Sequence, residues 1–169
     1  MEAASIIRQL KSHQLVFEGL FSGLSPEEYR WKSQPRSWNL LQLLCHLYDE
    51  ERDDFRYRVF HCLETPEKQL PPFDPEQWVI DRKYEEQDYE EKLAALLAER
   101  EFSVEKLQAL KNPNWDSAVE HPRMGPLSAG FFLANWLEHD HLHIRQFLKI
   151  RHLYLQSHSG HDLSYAGNW

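Results

Sequence analysis

Four long segments of the chain, separated by prolines and glycines, carry apolar residues at helical spacing. Within each segment the apolar side chains recur every three or four residues, as in an amphipathic α-helix that buries one face. These segments are residues 2–21, 40–64, 88–110 and 127–155. Proline lacks a backbone donor and clashes with the preceding helical turn, so the four prolines within residues 65–87 exclude a long helix there. We therefore predict four long helices, with one long connector after the second.

Local signals predict where individual helices begin. Ser25 followed by Pro26 indicates a short helical turn after the first long helix, since proline is favoured at a first helical position. Ser37 is expected to cap the second long helix. The fourth long helix is expected to begin at Leu127, after the last proline of the chain.

The four helices are expected to form one domain. No segment shows the two-residue alternation of a β-strand, and neither an internal repeat nor a change of composition marks a second domain. The economical arrangement is an all-α, antiparallel four-helix bundle over residues 1–169. In the tail, residues 157–169, we expect Leu163, Tyr165 and Trp169 to dock on the bundle as a flap or an interface.

Charge and composition argue against several classes of function. The chain has 19 Lys and Arg against 27 Asp and Glu, a formal charge of −8, and it lacks the basic block that a nucleic-acid surface needs. No apolar run approaches the roughly 18 residues of a membrane span. The first residues lack the apolar block of a secretory signal, and Cys45 and Cys62 alone make no disulfide framework. We expect a cytoplasmic protein with both thiols reduced.

Histidines in the last helix suggest a functional site. The segment NWLEHDHLHIRQFL, residues 135–148, contains three of them. At about 100° per residue, His139 and His143 share one face of the helix, whereas His141 points to nearly the opposite side. Trp136 and Phe147 lie on the face of the pair, so two imidazoles enter the core. One cation would satisfy both rings, and hydrogen bonds to carboxylates or to the backbone are the alternative.

A metal site would need a third ligand from another helix. His46, in LLQLLCHLYDEE at the edge of the apolar stripe of the second helix, is the natural candidate. Asp49 and Glu50 follow three and four residues later, where either could accept a hydrogen bond from an imidazole or bind the ion. The alternative is that this acidic run is a solvated face. His13 is expected to be a satisfied core or rim residue, and Cys45 a packing residue.

Two motifs occur in the order and spacing of a known family. LLCHLYDEE, residues 43–51, matches the pattern LLxHLxDEE, and residues 139–146 match HDxxHxxQ. With Trp38-Asn39-Leu40 opening the second helix, the chain resembles the DinB-like superfamily of four-helix bundles, also called YfiT-like, over nearly its whole length. The resemblance implies an up-and-down bundle that holds a divalent metal, commonly zinc or nickel, on one histidine from helix two and two from the last helix. By motif these are His46, His139 and His143.

The family includes thiol-dependent S-transferases and maleylpyruvate isomerases, which use low-molecular-weight thiols, beside many members of unknown activity. Three imidazoles leave coordination positions open, which is typical of catalytic zinc sites, and a bound thiol or water would become a nucleophile. The leading hypothesis is a metal-dependent S-transferase or hydrolase that acts on a small electrophilic molecule, with zinc as the default metal. Asp140, Gln146 or Glu50 is expected to orient a ligand imidazole.

Two other hypotheses remain open at this point. One is a metal-binding stress or interaction protein of the same family without turnover, and the other is a metal-free bundle whose histidines are satisfied polar groups. A homodimer is the commonest assembly for such a chain.

Overall fold

Four long helical segments occupy the positions that the sequence predicts in the computed structural model, which describes residues 2–167 and 169. The helices are α1 (Ala3–Phe21), α2 (Pro26–Arg30), α3 (Leu40–Asp49), α4 (Arg56–Glu64), α5 (Pro75–Asp81), α6 (Tyr89–Ala109) and α7 (Ala129–His158). A π-helical turn, Glu50–Phe55, joins α3 to α4 without a break. Short 3-10 turns lie at Tyr84–Glu86 and Ser164–Ala166. The all-α four-helix bundle is thereby confirmed.

Contacts along the bundle show which helices are neighbours and in which direction they run. Arg100 of α6 donates to the carbonyl of Leu10, and Tyr89 of α6 donates to the carbonyl of Phe21. The later residue of α1 therefore contacts the earlier residue of α6, which shows that these two helices are antiparallel. Helix α7 packs against both α1 and the continuous α3–α4 helix.

The α3–α4 helix runs parallel to α6, so the antiparallel, up-and-down arrangement that was expected does not hold for this pair of helices. The Lys92 ammonium lies over the Tyr48 ring, and the Lys106 ammonium lies over the Phe60 ring, so both contacts advance in the same direction. Parallel neighbours cannot be joined by a tight turn, and the chain has to return along the bundle first. Residues 65–87, which include α5, make this return, and the prediction that no long helix crosses them is confirmed.

Side-chain caps fix the beginnings of the long helices. The expected cap at Ser37 is wrong: Asn39 caps α3, because its side chain accepts from the Gln42 amide while the Gln42 side chain accepts from the Asn39 amide. The Asp88 side chain caps α6 by accepting from the Glu91 amide, and the Ser128 side chain caps α7 by accepting from the Phe131 amide. The last helix therefore begins at Ala129 and not at Leu127.

A two-stranded ribbon precedes α7, where the sequence predicts no strand. Strand β1 (Ala118–His121) pairs antiparallel with β2 (Gly125–Ser128), with Ala118 opposite Ser128. Each strand has only four residues, too few for an alternating pattern to stand out. Both are edge strands, which tolerate a proline such as Pro126.

A layer of buried polar side chains crosses the middle of the bundle. One apolar cluster includes Leu10 of α1 and Val59 of α4, and the other includes Phe17 of α1 and Leu44 of α3. Eight buried polar residues of the long helical segments lie at the boundary between these clusters along the chain: His46, Asp49, Glu50, Glu51, Asp54, Arg100, Asp140 and His143. The candidate site is part of this layer.

The tail after α7 is only partly docked. Leu163 is half-buried and Tyr165 is fully exposed, so the expected docking of Tyr165 is wrong. The Trp169 ring stacks on the His152 ring of α7. Residue 168 of the predicted flap lies outside the described residues. Among the described helices, none is both long and apolar enough to cross a membrane.

Candidate metal centre

Three imidazoles from two helices meet at one point of the polar layer. The Nε2 atom of His46, on α3, lies 3.2 Å from the Nε2 atoms of both His139 and His143, on α7. The two α7 nitrogens are 3.0 Å apart. His46 and His143 are buried, and His139 is partly exposed. The structure thus brings together the three histidines that the sequence proposes as metal ligands.

A hydrogen bond fixes the ring of His143. Its Nδ1 lies 2.8 Å from Oε1 of Gln146, one turn further along α7. An amide oxygen can only accept, so Nδ1 carries the hydrogen and Nε2 presents its lone pair to the other two rings. The prediction that Gln146 orients a candidate ligand imidazole therefore agrees with the geometry.

Glu50 lies behind the ring of His46. Its Oε1 is 3.8 Å from Nδ1 of His46, and both atoms are buried without a hydrogen-bond partner among the described residues. Because Glu50 faces Nδ1 and not Nε2, its place is that of an acceptor for the ring and not that of a further ligand. Burial, and then the neighbouring Asp54, raise the pKa of Glu50 to about 8.

All three imidazoles are held neutral. Burial lowers the pKa of His46 to about 3 and that of His139 to about 2, and the neighbouring His143 adds to both shifts. Burial also lowers the pKa of His143, although its bond to Gln146 opposes this. Neutral imidazole is the form that binds a metal ion.

Aromatic rings pack against two of the three histidines. The Trp38 ring meets the His46 ring edge to face at a centroid distance of 5.0 Å, and the Phe55 ring lies 4.9 Å from that of His139. These contacts keep the imidazoles in place and shield them from water. Trp38 precedes α3, and Phe55 ends the π-helical turn, so both elements help to build the site.

A buried charge network lies beside the imidazoles. The Arg100 guanidinium donates to both carboxylate oxygens of Asp140, at 2.6 and 2.8 Å, and to Glu51 at 3.0 Å. Trp136 donates its indole N–H to the same Glu51 oxygen, and His13 contacts Asp140 at 2.9 Å. Burial alone would raise the pKa of Asp140, but Arg100 and then His13 hold it below its usual range.

This network corrects several expectations. Asp140 does not orient a candidate ligand imidazole, because both of its oxygens are taken by Arg100 and His13. Asp49 does not face the site either, because it accepts from the Tyr84 hydroxyl at 2.6 Å and pairs with Arg82. His13 is the satisfied rim residue that was expected.

The acidic run after His46 is not a solvated face. Four of its carboxylates are buried, at Asp49, Glu50, Glu51 and Asp54. Sequence reasoning missed Arg100 and included Glu51 only as a member of the motif and of the acidic run, because a charged residue in a charge-rich helix looks like surface. Cys45 packs in the core as expected, and burial raises the pKa of its thiol to about 12.

The donor set fits a divalent cation. With metal–nitrogen distances of about 2.0–2.1 Å, two ligands of a tetrahedral zinc ion lie about 3.3 Å apart, close to the 3.0–3.2 Å between the Nε2 atoms. Each Nε2 atom carries either a hydrogen or a lone pair, so at least two of the three are alike. That pair cannot form a hydrogen bond, and hydrogen bonds alone therefore do not account for the three short distances. Within residues 2–167 and 169, these three side chains form the only such group of potential ligands, and no fourth side chain joins them.

Comparison with known proteins shows the fold and the family of this chain. The fold is similar to that of YfiT from Bacillus subtilis, which is described as a probable metal-dependent hydrolase with an unusual four-helix bundle topology. The TM-score is 0.77 at 17% identity, over 88% of this chain and 85% of YfiT. No curated protein matches the sequence. The model of the DinB superfamily matches residues 9–147, and the chain therefore belongs to that superfamily.

Proposed function

We propose that this protein is a metal-dependent enzyme that acts on a small electrophilic molecule, either by hydrolysis or by transfer to a low-molecular-weight thiol. The convergence of the Nε2 atoms of His46, His139 and His143 within 3.2 Å is the observation on which the proposal rests. The three histidines are proposed to hold a divalent cation, with zinc as the default and nickel as the alternative.

The number of ligands favours catalysis over a structural role. Structural zinc sites are closed by four protein ligands, whereas catalytic sites keep a position open. In the described part of the chain, three side chains form the group and none completes it. A divalent cation at this place would lower the pKa of a water or a thiol beside it.

Neighbouring side chains would hold the three histidines in the orientation that a cation requires. Gln146 holds the Nδ1 hydrogen of His143, and Glu50 lies where it can accept from His46. Trp38 and Phe55 cover two of the rings. The partly exposed His139 marks the side from which a small substrate would enter.

Metal content per chain tests the first half of the proposal. Tag-free protein, purified without a nickel column, is expected to contain about one zinc or nickel per chain by mass spectrometry. His46→Ala and His143→Ala proteins are expected to lose it. His161→Ala is the matched control, because His161 is exposed in the tail. Full metal content in folded His46→Ala protein would contradict the ligand assignment.

Turnover separates the two enzymatic alternatives from each other. The metal-loaded protein is assayed with activated esters in water, and with electrophilic aromatic compounds together with a panel of cellular thiols. Consumption only in the presence of a thiol indicates a transferase, and consumption without one indicates a hydrolase. Stoichiometric metal with neither reaction would favour the second hypothesis, a metal-binding protein of this family without turnover.

A further inference from the structure

A groove of about 740 Å³ runs along the outer side of α7, and Trp169 is among the residues that line it. Leu142, Arg145, Lys149 and Leu153 line it and lie three or four residues apart, on one face of the helix. Its volume is within the range of small-molecule sites, about 300–1,000 Å³. Neither the sequence motifs nor the proposed metal chemistry accounts for this groove.

The groove presents two positive charges that no ion pair among the described residues neutralises. Arg145 and Lys149 stand one turn apart, and like charges at this spacing repel. Neither side chain has a carboxylate or any other hydrogen-bonding partner within the described residues. An anion bound between the two side chains would remove this repulsion.

The walls of the groove are apolar and aromatic. The Trp169 ring stacks on the His152 ring, with centroids 4.5 Å apart and an angle of 18° between the planes. Trp169 is still 74% exposed and Leu142 44% exposed. Such exposed apolar surface beside two cations fits a molecule that has both an anionic group and an apolar body.

One side chain connects the groove with the imidazoles. Gln146 lines the groove and accepts the Nδ1 hydrogen of His143 through Oε1. Its amide nitrogen has no hydrogen-bond partner among the residues described, so it is free to donate to a bound molecule. A ligand in the groove would therefore lie one side chain away from His143.

We infer that this groove binds a small organic anion with an aromatic or apolar body, held by Arg145 and Lys149 and packed against Trp169. That such an anion is the substrate, or the thiol, of the enzyme rests on the proposed function. The binding site itself does not, because Arg145, Lys149 and Trp169 are not among the candidate metal ligands.

Two fluorescent probes that share an apolar body test this inference. Anilinonaphthalene sulfonate carries an anionic group, and phenylnaphthylamine does not. We expect the sulfonate to bind the native protein saturably, and the Arg145→Gln/Lys149→Gln double variant to bind it about tenfold more weakly. Phenylnaphthylamine binding is expected to be unaffected by these changes, and Trp169→Ala is expected to weaken the binding of both probes.

Arg36→Gln/Lys111→Gln is the matched control, because it removes the same charge from two exposed residues elsewhere. Equal affinity of the sulfonate for the native protein and the Arg145→Gln/Lys149→Gln variant would overturn the inference, as would an equal loss in the control. The titrations are repeated with His46→Ala protein. Probe binding that persists there while metal is lost supports the groove independently of the metal centre.

Discussion

The ring of His143 shows how much one side chain can decide at this site. Its Nε2 lone pair faces His46 and His139 only because Nδ1 donates to Gln146. Without that acceptor the imidazole is free to rotate or to change tautomer, and the lone pair leaves the common point.

Gln146→Ala is therefore expected to weaken metal binding by about 10–100-fold, the usual effect of removing a partner of a metal-binding histidine. Competition with a chelator of known affinity measures the change. Gln156→Ala, at an exposed position on the same helix, is the control and should match the unmodified protein. An unchanged affinity in the Gln146→Ala protein would show that His143 needs no orienting partner.

Helix ends and the π-helical turn decide which side chains reach the polar layer. In the turn Glu50–Phe55, both Glu50 and Glu51 are buried, and they face different partners, His46 and Arg100. A π-helical turn holds one more residue than an α-helical turn and is frequent at functional sites. At the other end of α3, the cap at Asn39 sets where the helix begins.

Asn39→Ala is expected to reduce the free energy of unfolding by about 1–2 kcal/mol, because the buried Gln42 amide loses its acceptor. Ser37→Ala, which removes the cap expected from the sequence, should change stability by less than about 0.5 kcal/mol. Urea denaturation of both variants measures the difference. Equal effects of the two changes would mean that the cap contributes nothing in this protein.

At the scale of the whole molecule, Arg100 on α6 connects its own helix with each of the other three long helical segments. It donates to Leu10 of α1, to Glu51 before α4 and to Asp140 of α7. Arg100 is 1% exposed. Removing one partner of such a buried group leaves the others with uncompensated charge, which costs more than the pair itself is worth.

Arg100→Met is accordingly expected to destabilise the protein by about 3–5 kcal/mol. The free energy of unfolding in urea is the measurement. Arg8→Met on α1, at an exposed position, is the control, and it should stay within about 0.5 kcal/mol of the unmodified protein. A loss below about 1 kcal/mol for Arg100→Met would show that Glu51 and Asp140 become neutral or hydrated at little cost.

Removal of the metal is expected to lower the stability of the whole protein, because the proposed ion would join α3 to α7. Binding at about a thousand times the dissociation constant stabilises a protein by roughly 4 kcal/mol. Chelation is therefore expected to lower the melting temperature by about 5–15 °C. The His46→Ala protein is the control, and chelation should leave its melting temperature unchanged. An equal melting temperature before and after chelation in the unmodified protein would favour the metal-free alternative.

The sequence alone determined the helices and the pair on the last helix. Helical spacing depends on local geometry, so the long helices were predictable, and an i, i+4 pair such as His139 and His143 must share a face. The motif around His46 supplied the third histidine through resemblance. The expected homodimer stays a prediction.

Tertiary structure decided which polar groups meet. Arg100, Glu51 and Asp140 are far apart in the chain, and their burial depends on the parallel packing of the α3–α4 helix against α6. That arrangement depends on contacts between segments that are distant in the sequence, and the periodicity of a single segment does not predict such contacts. For the same reason, the partners of Asp49 and Asp140, and the groove beside Trp169, could only be found in the folded molecule.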